Sequence, residues 1–172
     1  AMAELDREHR KVRQSLSLAM EVQQNLLPRG NPSVRGLDIA GKSSYCDETG
    51  GDYYDFLKSE SPATGTVRVV VGDVSDHGIP SALLMATARA FIRQRSSRPG
   101  SIALIVTDRN LQLNAVVEVS GRFMTLFFAE IYLPGKHLQL LNSGLEAAFL
   151  YDPDSYRFEE LHGGGNLPLG IS

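Results

Sequence analysis

Two short segments constrain this chain more than anything else in it: Gly50-Gly51-Asp52-Tyr53-Tyr54-Asp55-Phe56 and Gly72-Asp73-Val74-Ser75-Asp76-His77-Gly78. Each sets carboxylates beside glycines, and the second follows the apolar, β-branched run Val67-Arg68-Val69-Val70-Val71. Such a run reads as a buried strand, so the residues just past it lie at the mouth of a sheet. Carboxylates gathered there with no lysine nearby repel one another. A hard divalent cation, which takes oxygen ligands and keeps several waters, relieves that repulsion. The pattern predicts a chain built to hold Mg²⁺ or Mn²⁺ and to present an activated water.

The rest of the chain reads as a frame for these segments. Residues 4–27 form one expected helix, stopped by Pro28 and Gly30. Leu5, His9, Val12, Leu16, Ala19, Gln23 and Leu26 recur in steps of four and three, a heptad seam that His9 and Gln23 weaken. Two readings stay open for it. One is an amphipathic helix lying on its own domain. The other is a linker helix that dimerises through Val12, Leu16, Ala19 and Leu26 and carries a signal from an upstream module.

Beyond the turn-rich stretch 30–36, strands are expected over 37–41, 53–57 and 66–71. Pro80 suits a first helical position and opens a helix over 81–95, with Leu83, Leu84, Ala88, Phe91 and Ile92 facing inward. A second helix runs from Ser101 to about Val117, with Ile105, Leu111 and Leu113 as core residues. Residues 123–133 and 137–142 make a hairpin about Pro134-Gly135-Lys136, and 146–151 pairs with 156–161. Met85 and the stretch 123–128 belong to the core. Two strand blocks around adjacent helices predict an α+β layered domain, not a βαβ repeat. The expected division is a linker helix over 1–28 and one domain over 29–172.

Composition narrows the function class. The 172 residues suit one domain with a real core. A net charge of −3 without a long basic run argues against nucleic acid as partner. No apolar stretch approaches the roughly 18 residues of a spanning helix, and the N-terminus has no signal-peptide core. The single cysteine, Cys46, excludes an internal disulfide and reads as a small strand residue. The expectation is a cytoplasmic chain, or a cytosolic piece of a larger one.

The order of the motifs then carries a resemblance. Glu21-Val22-Gln23-Gln24-Asn25-Leu26-Leu27-Pro28 is followed by Gly50 to Phe56, by Gly72 to Met85, and by Arg122-Phe123-Met124-Thr125-Leu126-Phe127. Asn142-Ser143-Gly144 and Pro168-Leu169-Gly170-Ile171 complete the series. From about residue 19 onward the chain resembles the bacterial SpoIIE-type branch of the metal-dependent (type 2C) protein serine/threonine phosphatases.

The resemblance implies a β-sandwich flanked by helices, with two metal ions at one edge. It implies that Asp73 bridges both ions, that the Val74 carbonyl ligates one, and that Asp52 holds the other. A metal-activated water would then attack a phosphoserine or phosphothreonine, with no protein nucleophile required. Asp55 and Asp76 would accept hydrogen bonds from metal waters. His77 would be a general acid or a loop histidine bonding nearby backbone, and Asn142 would orient the site or cap a strand end. Tyr53 and Tyr54 read as strand packing. By family analogy the substrate is a phosphorylated anti-sigma-factor antagonist, and a sensor or receiver module lies upstream.

The chain departs from the pattern at four places. Asp76 stands where glycine is usual, Leu145 where a histidine follows Asn-Ser-Gly, and Tyr132 where an aspartate often ends the strand. The pattern also runs on into a Thr-Asp-Gly segment that closes the metal site, whereas this sequence stops at Ser172. The expectation is a domain incomplete at its C-terminal side, either truncated or a degenerate member. The competing function is a pseudophosphatase module that binds a partner protein. A nucleotide-cyclase turn at Gly50-Gly51-Asp52-Tyr53 leaves the Gly72 to Met85 segment without a place, and no Gly-x-Ser-x-Gly elbow exists for a serine hydrolase.

Overall fold

The computed structural model describes residues 2–44, 49–58, 65–98, 100–117 and 121–171. Cys46 lies outside the described residues, as does the side chain of Leu111. The chain opens with α1 (Met2–Leu26), followed by β1 (Tyr53–Lys58) and β2 (Thr66–Val74). Two helices, α2 (Ile79–Ser96) and α3 (Ile102–Val117), lead into β3 (Met124–Tyr132) and β4 (His137–Ser143). A hairpin of β5 (Ala148–Asp152) and β6 (Arg157–Leu161) comes last.

The strands β1 to β4 form one antiparallel sheet in sequence order, and β5–β6 forms a separate two-stranded sheet. Strand alternation decides what each sheet face carries. Tyr53, Asp55 and Leu57 of β1, Arg68, Val70 and Val74 of β2, and Met124, Leu126 and Phe128 of β3 are buried. They share the face that packs against α2 and α3. Phe128, Met85, Ile92 and Ile105 lie at its centre. Each such side chain contributes about 1.5–3 kcal/mol by leaving water. On the opposite face, Tyr54 and Phe56 meet edge to face at 5.8 Å, and Val71 is exposed.

The helices follow their apolar rows with one correction. Leu84, Ala88 and Ile92 are buried and Phe91 is half-buried, but Leu83 is exposed and Met85 takes the inward place. The 84–88–92 row is the one aimed at the sheet, and Leu83 falls off its edge. Pro80 sits in the first turn of α2, where a missing N–H costs nothing. Ile105 and Leu113 of α3 are buried as expected.

Two further expectations are corrected. No strand forms over 37–41, where only an isolated Val34–Leu37 bridge closes. The Gly41 N–H is instead taken by the Asn31 side chain at 3.0 Å, so no ladder neighbour is required. The strand expected over 66–71 runs three residues further, so Gly72 and Asp73 lie within β2 and not beyond it. Pairing with β3 continues through Asp73–Thr125 and Val74–Met124, which keeps this end of the strand extended. At the chain's end, Leu169 bonds Met124 in both directions at 2.8 Å and is buried, which ties the Pro168 to Ile171 segment to β3.

α1 divides in two. Residues 2–15 are exposed all round, Leu5 and Val12 included. Leu16, Ala19 and Leu26 are half-buried, whereas Gln23 and Leu27 are buried. No helix among the described residues is long and apolar enough to cross a membrane.

Candidate metal and phosphate site

The β1–β2 register builds the site. Tyr53 pairs with Gly72, so the next step of the antiparallel ladder sets Asp52 across from Asp73. The two carboxyl groups lie close enough to act on one another, and the Asp73 carboxyl is raised above the ordinary carboxylate range. Partial burial is the larger cause, followed by the charge of Asp52, while the Val74 N–H opposes them. Two carboxylates held this near repel one another, and a divalent cation between them relieves that repulsion.

Backbone geometry holds the pair in position. The Val74 N–H donates to the Gly51 carbonyl at 3.3 Å. A Cβ on Gly51 would lie 2.5 Å from the Val74 carbonyl oxygen, so only glycine lets the two chains approach this closely. Gly72 is equally confined, since a Cβ there would meet the Thr125 carbonyl at 2.9 Å and the Met124 methyl at 2.6 Å. Thr125, opposite Asp73 on β3, donates its hydroxyl to the Asp73 carbonyl at 3.2 Å. Ser75 closes the turn: its N–H donates to Phe123 at 2.9 Å, and its hydroxyl accepts from the Phe123 N–H at 3.0 Å.

Gln23 is a contributor that the sequence pattern did not reveal. Its side-chain amide donates to the Gly50 carbonyl and accepts from the Gly50 N–H at 3.2 Å. α1 thereby grips the loop that carries Asp52. The polar interruption of the heptad seam is a buried amide pairing with backbone, and a glutamine inside an apolar row was the available signal.

The other expected residues separate. Asp55 does not face the Asp52–Asp73 pair. It is fully buried on the helix side, where Arg93 binds it through Nε and Nη2 at 2.6 Å each and the Tyr53 hydroxyl donates at 3.1 Å. Strand alternation sends Asp52 and Asp55 to opposite sides of β1, which corrects the reading of Asp55 as an acceptor for metal waters. Asp76 sits in the exposed loop at φ 66°, with Arg122 Nε 3.5 Å from its carboxylate. His77 is exposed beside it. Asn142 is a strand-end cap: its side chain bonds Leu145 N–H at 2.9 Å and Leu145 carbonyl at 2.8 Å, and its carbonyl accepts from Asn166. Tyr53 and Tyr54 pack within the fold, with Tyr54 donating to the Gly41 and Pro28 carbonyls.

The donor set suits a hard cation. Two neighbouring carboxylates with backbone carbonyls beside them match what Mg²⁺ or Mn²⁺ takes from a protein when waters fill the remaining positions. Among the described residues no group of three or more His, Cys, Asp or Glu side chains gathers.

The family model described as "Stage II sporulation protein E (SpoIIE)" matches residues 63–172. The chain belongs to the SpoIIE family. This SpoIIE-family chain is 27% identical over 162 residues to phosphoserine phosphatase RsbU of Bacillus subtilis (strain 168), covering 94% of this chain and 47% of that protein. It thus spans about half the length of that relative. Among solved structures, the SiaA-PP2C domain of Pseudomonas aeruginosa superposes with a TM-score of 0.70 at 20% identity, over 95% of this chain and 64% of that one. The RsbU and RsbW domains of Rv1364c from Mycobacterium tuberculosis give 0.64 at 21%, over 75% and 35%. The fold of this SpoIIE-family chain is that of the PP2C phosphatase domain.

Proposed function

We propose that the chain carries the catalytic part of a metal-dependent protein phosphatase, with residues 29–172 as the phosphatase unit and 1–28 as a linker helix. The substrate class is phosphoserine or phosphothreonine on a bacterial signalling protein, in the first instance an anti-sigma-factor antagonist. The observation that carries the reading is the register that sets Asp52 opposite Asp73 at the open edge of the β1–β2 ladder, close enough for Asp52 to raise the Asp73 carboxyl. The likeness to a phosphoserine phosphatase over nearly the whole chain supports it.

In this reading Asp73, Asp52 and the Val74 carbonyl hold Mn²⁺ or Mg²⁺, two ions in the complete site. When bound, the ions supply an activated water and neutralise phosphate charge. Gly51 and Gly72 let the two strands close without side chains in the way. Thr125 and Ser75 hold the backbone on either side of Val74, so the carboxylates keep their direction without reorganising. Upstream, a sensor or receiver module would act through α1, and two copies would pair along its exposed seam.

A second reading, a partner-binding module without turnover, is favoured by Leu145. Its backbone is fastened on both sides by Asn142, and its side chain brings no ligand where relatives of this type carry a histidine. The experiment is Mn²⁺-dependent hydrolysis of p-nitrophenyl phosphate by the chain beside its Asp73→Asn variant. Metal-dependent turnover that disappears in the variant supports the phosphatase. Equal turnover in both removes Asp73 from the chemistry, and no turnover in either is what a truncated catalytic unit and a binding module both give, which the same assay on a lengthened chain separates.

A further inference from the structure

The group that the proposed chemistry leaves unused is the buried cluster beneath β1. Asp55 is fully buried, with both carboxyl oxygens engaged. Arg93 of α2 grips both of its oxygens, Tyr53 shares Oδ2, and the Phe56 N–H donates to Oδ1 at 2.9 Å. A second guanidinium, Arg89, lies one helical turn away with Nε 3.9 Å from Oδ2, and that Nε makes no hydrogen bond. Two guanidiniums thus converge on one buried carboxylate, Arg89 from a partly buried position and Arg93 from one that is 45% exposed.

Stability does not explain such an arrangement. Taking the Asp55 carboxylate out of water is expensive, and an apolar side chain of the same volume is often as stable or more so. What a two-pronged arginine–carboxylate pair supplies is geometry, because both the distance and the rotation of the groups become fixed. Here the groups belong to α2 and β1, and β1 begins immediately after Asp52. On the other side of Asp52, Gln23 clamps Gly50. The metal-facing carboxylate hangs between two anchors, one on each side in the chain.

We propose that Asp55, held by Arg93, is a positioning residue that fixes the direction of Asp52 and with it the affinity of the site for a divalent cation. The inference rests on the metal reading of the Asp52–Asp73 pair. Arg93→Lys keeps the charge and loses the two-pronged grip. It is expected to weaken Mn²⁺ binding, measured calorimetrically, by about tenfold, and to move the Gly51 and Asp52 amide resonances of the metal-free protein.

The control is Arg68→Lys, which disturbs another buried pair, Arg68–Glu130, near the other end of β2. It should lower the melting temperature comparably while leaving Mn²⁺ affinity within about twofold. Should Arg93→Lys fail to fold, the double variant Asp55→Asn with Arg93→Gln replaces the ion pair by a neutral hydrogen-bonded one. That variant is expected to bind Mn²⁺ within about twofold of the parent, and a loss of about tenfold there would overturn the positioning role by showing that charge and not geometry matters. A folded Arg93→Lys that binds Mn²⁺ as the parent does, with unmoved amides, overturns the positioning role. Equal losses in Arg68→Lys overturn it as well, because the effect would then be general destabilisation. If the parent itself binds no Mn²⁺, the metal reading fails first and takes this inference with it.

Discussion

At the residue scale, the site is made by what glycine omits and by what two acids share. Gly51→Ala would push a methyl against the Val74 carbonyl, which cannot retreat without breaking the ladder to β3. A loss of about 1–3 kcal/mol is expected, read as a lower urea midpoint together with weaker Mn²⁺ binding. Asp73→Asn should do the opposite to the metal-free fold. The Asp73 carboxyl is raised in the folded chain, so its contribution to stability is present in full below the unfolded value and is lost as pH rises through the folded one. At neutral pH the ionised pair is therefore a burden that the amide removes. The variant should melt higher than the parent in EDTA at pH 7, and an unchanged or lower melting temperature would contradict the crowding. Tyr53 titrates at the alkaline end, raised well above its usual range by burial first and then by Asp55. Its contribution holds below about pH 10 and fades above it, because the unfolded phenol ionises first.

At the scale of elements, polar side chains fasten α1, α2 and β2 to their neighbours. Gln23 fastens α1 to the Gly50 loop. Arg93 fastens α2 to β1. Arg68 reaches from β2 to Glu130 of β3 and to the Ser96 and Gly100 carbonyls at the end of α2. Gln23→Ala would leave the partly buried Gly50 N–H and carbonyl without those partners, at a cost of about 1–3 kcal/mol. Hydrogen exchange should show the loss at Gly50 and Gly51, with α3 unaffected. Protection unchanged at those amides would mean that the clamp is idle in solution. The elements themselves were readable in advance, because periodicity and turn residues mark α2, α3 and the two hairpins. The segment 37–41 was misread because its alternation is a real local signal, but no strand pairs with it among the described residues.

At the scale of the molecule, the first half of α1 stands free of the domain, with Leu5 and Val12 in the open. If that seam pairs two copies, Val12→Asp should shift the sedimentation coefficient towards the monomer without changing the melting temperature of the domain. A profile identical to the parent's would dismiss the pairing. The sequence by itself determined most of the elements, the α+β class, and the two Gly-Asp segments as the candidate place for a metal, because these depend on residue type and short-range spacing. Only the tertiary structure decided that Asp52 meets Asp73 while Asp55, three residues on, turns to Arg93. A strand sends alternate side chains to opposite faces, and which face is the interior depends on what packs there. Gln23 with Gly50 and Arg93 with Asp55 join residues 27 and 38 positions apart. Local pattern does not name the partner in such contacts, because they exist only once the sheet and its helices have closed on one another.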